Sequence, residues 1–229
     1  MEFDFLEGEV LLFDKPEGWT SFDLVKKVRG LIKRHMGIQK IKVGHAGTLD
    51  PLATGLMILC TGKMTKQISR FQNLDKNYVA KLEFGKTTPS FDTETDVDHY
   101  YPYDHITHEK LLKVLDGFIG TQEQYPPAYS AKNIKGERAY KLARKGEKVV
   151  PKPHTITISR LELLSFDLPF CSFQVDCSKG TYIRALVRDI GKSLDSGAVM
   201  TALTRTRIGE YKLSDAYSIK NFENILSGM

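Results

Sequence analysis

The residue types best suited to chemistry gather in one stretch. Residues 44–55 read Gly-His-Ala-Gly-Thr-Leu-Asp-Pro-Leu-Ala-Thr-Gly, with Asp50 as the only acid. A carboxylate can attack a sugar carbon or assist its ionisation, as the nucleophile of a retaining glycosidase does at an anomeric centre. Gly44, Gly47 and Gly55 let the backbone turn tightly and approach a ligand closely. Pro51 stiffens the chain directly after the acid. To act as a nucleophile Asp50 must be ionised while shielded from water. Burial raises a carboxylate pKa, and a fixed cation lowers it again. Arg184 is the candidate cation, at the entry of a helix whose apolar face excludes it.

The elements that must position these groups are readable from periodicity. Residues 56–60 are a continuous apolar run, hence a buried strand that anchors the Asp50 loop. Residues 10–13 are a short apolar strand. Thr20 and Asp23 form a T-x-x-D helix start, with Phe22, Val25, Val28 and Ile32 as the expected apolar stripe and Gly37 as the stop. Residues 78–84 alternate, placing Tyr78, Ala80, Leu82 and Phe84 on one face. A short helix over 107–117 begins at the cap Thr107, a basic helical segment covers 136–146, and strands lie near 155–164 and 170–177. After Gly180, Ile183, Leu186, Val187, Ile190 and Leu194 form one helix face. Strands and helices mix without regular βαβ alternation. This predicts an α+β fold with a mixed, largely antiparallel sheet flanked by helices.

The chain has 229 residues, a net charge of +5 and three cysteines without a CxxC pair. That size suits one catalytic domain over 1–229, with acidic and basic insertions about 86–152. The cysteines, Cys60, Cys171 and Cys177, read as small buried residues in a reducing compartment rather than a disulfide framework or zinc site. His99, His105 and His108 lie in a polar segment without metal-ligand spacing, so no metal is expected. No long apolar run predicts a membrane span and no signal peptide is evident, so a cytoplasmic protein is expected. Charge is segregated. Residues 92–109 hold six acids and no Lys or Arg, whereas residues 132–152 hold eight Lys or Arg against Glu137 and Glu147. A second basic cluster comprises Lys26, Lys27, Arg29, Lys33, Arg34, Lys40 and Lys42. Such segregation fits faces that meet phosphates. Arg138, Lys141 and Arg144 are the candidate RNA-backbone contacts.

Five further segments accompany the Asp50 loop: Lys15-Pro16 with Gly18 and Thr20-Ser21; Asp75-Lys76-Asn77-Tyr78; Pro126-Pro127-Ala128-Tyr129-Ser130-Ala131; Lys179-Gly180-Thr181-Tyr182-Ile183-Arg184; and residues 203–209. In type and order they resemble the motifs of TruB-type pseudouridine synthases, over nearly the whole chain. The resemblance implies a pseudouridine-synthase fold and conversion of uridine to pseudouridine in the T arm of tRNA, at uridine 55. It makes Asp50 the nucleophile, pairs Arg184 with it, and puts Tyr78 under a flipped-out base. Tyr182 and Leu203 line the same pocket, and His45 fills the space that the base vacates. Lys15 and Pro16 brace the Asp loop. No cofactor is implied, since the isomerisation transfers no group and no electrons. The expected partner is tRNA alone, with the protein a monomer and no obligatory protein partner.

Three departures from the family pattern stand out. Thr88, Ser90 and Asp92 match its T-x-T-x-D stretch only loosely, and the glycine that follows is missing. Lys132-Asn133 replaces an apolar-Lys pair. A PUA domain, which many relatives add, is not expected in this chain. A guide-RNA-dependent synthase shares the Asp motif, but that type depends on a PUA domain. A tRNA-folding chaperone that binds and releases the T arm without catalysis is the alternative from another class. The intact set Asp50, Tyr78 and Arg184 favours a catalyst.

Overall fold

Thr20 opens the first helix as its T-x-x-D pattern requires. The Thr20 hydroxyl accepts from the Asp23 N–H, and the Asp23 carboxylate accepts from the Thr20 N–H, a complete capping box. This helix, α1 (Ser21–Met36), follows strand β1 (Val10–Lys15) and ends at Gly37 in the left-handed conformation, φ 64°. The structure is a computed structural model describing residues 3–37, 39–129, 133–134, 137–138, 142 and 151–228. The buried face of α1 is Leu24, Val25, Val28, Leu31 and Ile32, whereas Phe22, expected within the stripe, is 61% exposed. At 3.6 residues per turn Phe22 points about 120° away from the centre of that buried set.

The chain continues through β2 (Val43–His45), β3 (Thr54–Thr61), α2 (Ile68–Gln72), β4 (Lys76–Phe84), β5 (Lys86–Thr87) and β6 (His99–Tyr100). Then come α3 (His108–Gly117), β7 (Gly120–Gln124), β8 (Asn133–Ile134), β9 (Glu137–Arg138), β10 (His154–Asp167) and β11 (Phe170–Cys177). Helix α4 (Ile183–Ser193), β12 (Ala198–Ile208), β13 (Tyr211–Lys212) and α5 (Ile219–Ser227) complete it. The chain divides into two compact units, residues 1–78 with 203–229, and residues 79–202. The architecture is α+β with mostly antiparallel strand pairing.

In the first unit β3 is the central strand. It pairs antiparallel with β1 (Lys15↔Gly55) and β2 (His45↔Leu59), and parallel with β12 (Thr204↔Thr54). Both faces of β3 are covered, which explains its uninterrupted apolar sequence. Leu56, Ile58 and Cys60 pack with Ala46, Phe71 and Ile208. Elsewhere in this unit Phe13, buried on β1, meets Phe222 of α5 edge-on, ring centroids 5.1 Å apart.

In the second unit β4, β11, β10 and β7 follow one another. Helix α4 buries Ile183, Leu186, Val187 and Ile190, the face expected from the sequence, each contributing about 1.5–3 kcal/mol by transfer from water. The start of the expected basic helix is different: Glu137–Arg138 is a strand, paired with Asn133–Ile134. Two residues, Lys135 and Gly136, separate the pair, a spacing that favours a hairpin over a helix start. Lys141 and Arg144 lie outside the described residues. No helix among the described residues is long and apolar enough to cross a membrane.

Candidate active site

Both sides of the Asp50 loop are fastened to residues 15–21 and to Arg205. Before Asp50, Leu49 is held from both directions by Ser21 at the start of α1. The Ser21 Oγ donates to the Leu49 carbonyl at 3.1 Å and accepts from its N–H at 2.9 Å. After Asp50, the Pro51 carbonyl accepts from the Gly18 N–H at 2.9 Å and from Lys15 Nζ at 3.1 Å. The Ala53 N–H closes back onto the Asp50 carbonyl at 3.1 Å. Arg205, on β12, donates from Nε to the Leu56 carbonyl at 2.7 Å and from an Nη to that of Gly47 at 3.3 Å. Gly47 and Gly55 have φ of 106° and 102°. At Gly55 an added β-carbon would sit 2.4 Å from the Arg205 carbonyl oxygen, so only glycine lets β3 approach β12 there.

Lys15 and Arg205 are fully buried cations that hold carbonyls. Lys15 Nζ also donates to Pro16 and Trp19 carbonyls, at 2.9 and 2.6 Å. Burial pushes its pKa down to about 8, opposed first by the Asp50 carboxylate and reinforced by Arg205. Lys15 thereby braces the Asp50 loop, as the sequence suggested. His45 reaches the same loop from β2. Its pKa falls below the usual histidine value through burial, which the Gly47 backbone opposes and Arg205 assists. The imidazole is neutral at pH 7, and its buried Nδ1 has no hydrogen-bond partner of good geometry among the described residues. Tyr78 and Leu203 are both buried, on β4 and β12, and belong to this unit with His45 and Asp50. Beside Leu203, the Thr54 and Thr204 hydroxyls meet at 2.9 Å.

Tyr182 and Arg184 belong to the second unit. Arg184 is the second residue of α4 and is buried, not displaced to the helix surface by its apolar neighbours. Its Nε lies 3.5 Å from the Asp92 carboxylate, which is equally buried. Two Nη donors reach the carbonyls of Ser90 (2.9 Å) and Tyr129 (2.8 Å). The loop carrying Asp92 is itself tied down: the Thr88 and Ser90 hydroxyls donate to the Asp92 carbonyl at 2.6 and 3.2 Å. Tyr182 is the N-cap of α4, and its backbone is matched twice by the Gln124 amide, at 2.8 and 3.0 Å. The His154 ring meets the Tyr182 ring edge-on at 6.0 Å, and its Nε2 lies 3.0 Å from the Gly180 carbonyl.

The sequence assigned no site role to Arg205, Asp92, Gln124 or His154. Asp92 stands in the loosely matched Thr88-Ser90-Asp92 series and Arg205 within residues 203–209, so both had a motif signal. Gln124 and His154 had none. Arg138 lies in β9. The three cysteines are buried and form no disulfide among the described residues, and burial pushes the Cys60 and Cys171 thiols up to about 11 and 12, which makes these two inert.

Residues 33–183 match the model of the TruB family pseudouridylate synthase N-terminal domain, and residues 184–227 that of the tRNA pseudouridylate synthase B C-terminal domain. The chain belongs to the TruB family. It is 57% identical to a tRNA pseudouridine synthase B of Phocaeicola vulgatus over 96% of this chain and 93% of that one. It is 45% identical to one of Flavobacterium johnsoniae, covering 97% and 98%. Among solved structures, a Cbf5-Nop10-Gar1 complex matches with TM-score 0.70 and 25% identity over 96% of this chain. The chain spans about half of that structure's matched chain, 54%.

Proposed function

We propose that this protein is a tRNA isomerase that converts uridine 55 of the T arm to pseudouridine, with Asp50 as nucleophile on a flipped-out nucleotide. The observation that carries the reading is the Asp50 loop, held by Lys15 and Ser21 from one segment of the chain and by Arg205 from another far along it. Preorganisation of this kind keeps a reacting group within the narrow geometry that displacement at carbon needs. In the reaction the Asp50 carboxylate attacks C1′ of the ribose as the bond to uracil N1 breaks. The uracil turns, and its C5 displaces the carboxylate from C1′. Loss of the C5 proton and gain of one at N1 complete the isomer, so no atom or electron is gained.

Tyr78, with a buried ring at the start of β4, is assigned to stack beneath the base. Leu203 walls the base, and neutral His45 stacks in the gap left in the RNA loop. The assignment of Tyr182 and Arg184 to the same reaction, with Arg184 supporting the ionised Asp50, rests on the family motif in which they stand. Arg138, Lys141 and Arg144 are assigned to the tRNA backbone. The protein acts in the cytoplasm as a monomer without cofactor. The test is incubation of purified protein with an unmodified tRNA transcript, followed by mapping of pseudouridine. The expected product carries it at position 55, and a transcript with cytidine there carries none. Pseudouridine at another position, or none at all, would overturn the reading.

A further inference from the structure

The outer face of α1 carries a cleft that the isomerisation does not use. It has a volume of about 520 Å³, the size of a small-ligand site. Trp19 stands at one end, and Lys26, Lys27 and Arg34 line it along the helix. Gly30 lies between them with open space where a side chain would be, so nothing from the protein fills the middle. Leu31, almost fully buried, lies at its inner side. The single acid, Asp23, is committed to the capping box with Thr20, whose hydrogen bonds hold its pKa below the usual value. Arg34 meets Glu223 at 3.9 Å, an exposed pair that a phosphate can displace.

An aromatic ring beside three cations is the chemistry of a single-stranded nucleic-acid site: a base stacks on the ring while flanking phosphates meet the cations. The cleft is also coupled to the Asp50 loop. The Trp19 carbonyl accepts from the same Lys15 ammonium that holds the Pro51 carbonyl, and the neighbouring Gly18 N–H donates to Pro51. We infer that the α1 cleft binds an unpaired segment of the tRNA, with one base stacked on the Trp19 indole and its phosphates on Lys26, Lys27 and Arg34. This rests on the reading of the protein as a tRNA enzyme and adds a second hold on the RNA beside the target nucleotide.

Trp19 is the only tryptophan of the chain, so its fluorescence reports on this cleft alone. Unmodified tRNA transcript is titrated into the full chain while emission and filter retention are recorded together. Emission should be quenched along the same isotherm as retention. The Lys27→Glu/Arg34→Glu variant should bind about tenfold more weakly, lose the quench, and lower the slope of log K against log salt by about 2. Retention without any change in emission, or a quench that survives the charge reversal, would overturn the inference and leave the isomerase reading standing. A quench by poly-glutamate but not by tRNA would reassign the cleft to an acidic protein segment. If tRNA is not retained at all, the isomerase reading fails together with this one.

Discussion

The Asp50 loop, whose carboxylate is half-buried, and the Arg184 corner, whose guanidinium is buried, each fix a charged side chain, and they do it by opposite means. Around Asp50 the buried cations Lys15 and Arg205 spend their hydrogen bonds on carbonyls of Trp19, Pro51, Gly47 and Leu56. They shape the loop backbone. Around Arg184 the protein supplies a buried carboxylate, Asp92, and seats the guanidinium fork on two further carbonyls. The difference teaches that the two regions should fail differently. Loss of a loop brace should loosen the chain around Asp50, whereas loss of either partner at Arg184 should strand a buried charge.

The largest expected effect is at that pair. Asp92→Ala or Arg184→Ala should each destabilise the protein by about 3–5 kcal/mol in urea unfolding, because the remaining charge is left uncompensated. The double variant should cost less than the sum. Arg184→Ala and Arg184→Lys should both lose most single-turnover activity while binding tRNA, with Lys the milder because it keeps the charge without the fork. Additive costs in the double variant would dissolve the contrast between the regions.

Lys15 gives the next largest effect, seen through pH. Its pKa is about 8 in the fold against the ordinary 10.5, so between those values the unfolded chain holds more protons and stability rises with pH. Below pH 8 the charged ammonium stays buried at a cost. Relative to Lys15→Met, the parent should gain about 3 kcal/mol of stability from pH 7 to 10.5. Parallel stability curves would show that Lys15 is not desolvated. Arg205→Lys should cost about 2 kcal/mol, because one carbonyl of Leu56 or Gly47 loses its donor. Faster amide exchange should appear around residues 46–53 and not in α4. Ser21→Ala, which removes two neutral hydrogen bonds from Leu49, should cost about 1 kcal/mol with the same local pattern.

Local signals made much of this legible in the sequence. The Thr20 capping box, the Gly37 stop, the alternation of β4 and the apolar face of α4 each depend on neighbours within a few residues. The Asp50 loop was legible for another reason, its resemblance to a family motif. Phe22 departs from its expected stripe because an apolar residue near a helix start can point outward, and Glu137–Arg138 departs from the expected helix because it pairs as a strand with Asn133–Ile134. The braces were hidden by distance along the chain. Arg205 reaches Gly47 across 158 residues and Arg184 reaches Ser90 across 94, so no spacing rule connects them. Asp92 stands in a stretch that matches the family motif only loosely and lacks its glycine, yet the Thr88 and Ser90 hydroxyls hold its loop without one.

The most direct test of Asp50 as the nucleophile is a single-turnover assay of Asp50→Asn with tRNA in saturating excess of its Kd, measured beside a binding isotherm. Binding should stay within a few-fold of the parent, since neutralising one acid removes no phosphate contact, while pseudouridine formation should fall below detection. Substantial turnover in that variant, with mass spectrometry excluding reversion of the introduced asparagine to aspartate by deamidation, would place the nucleophile elsewhere.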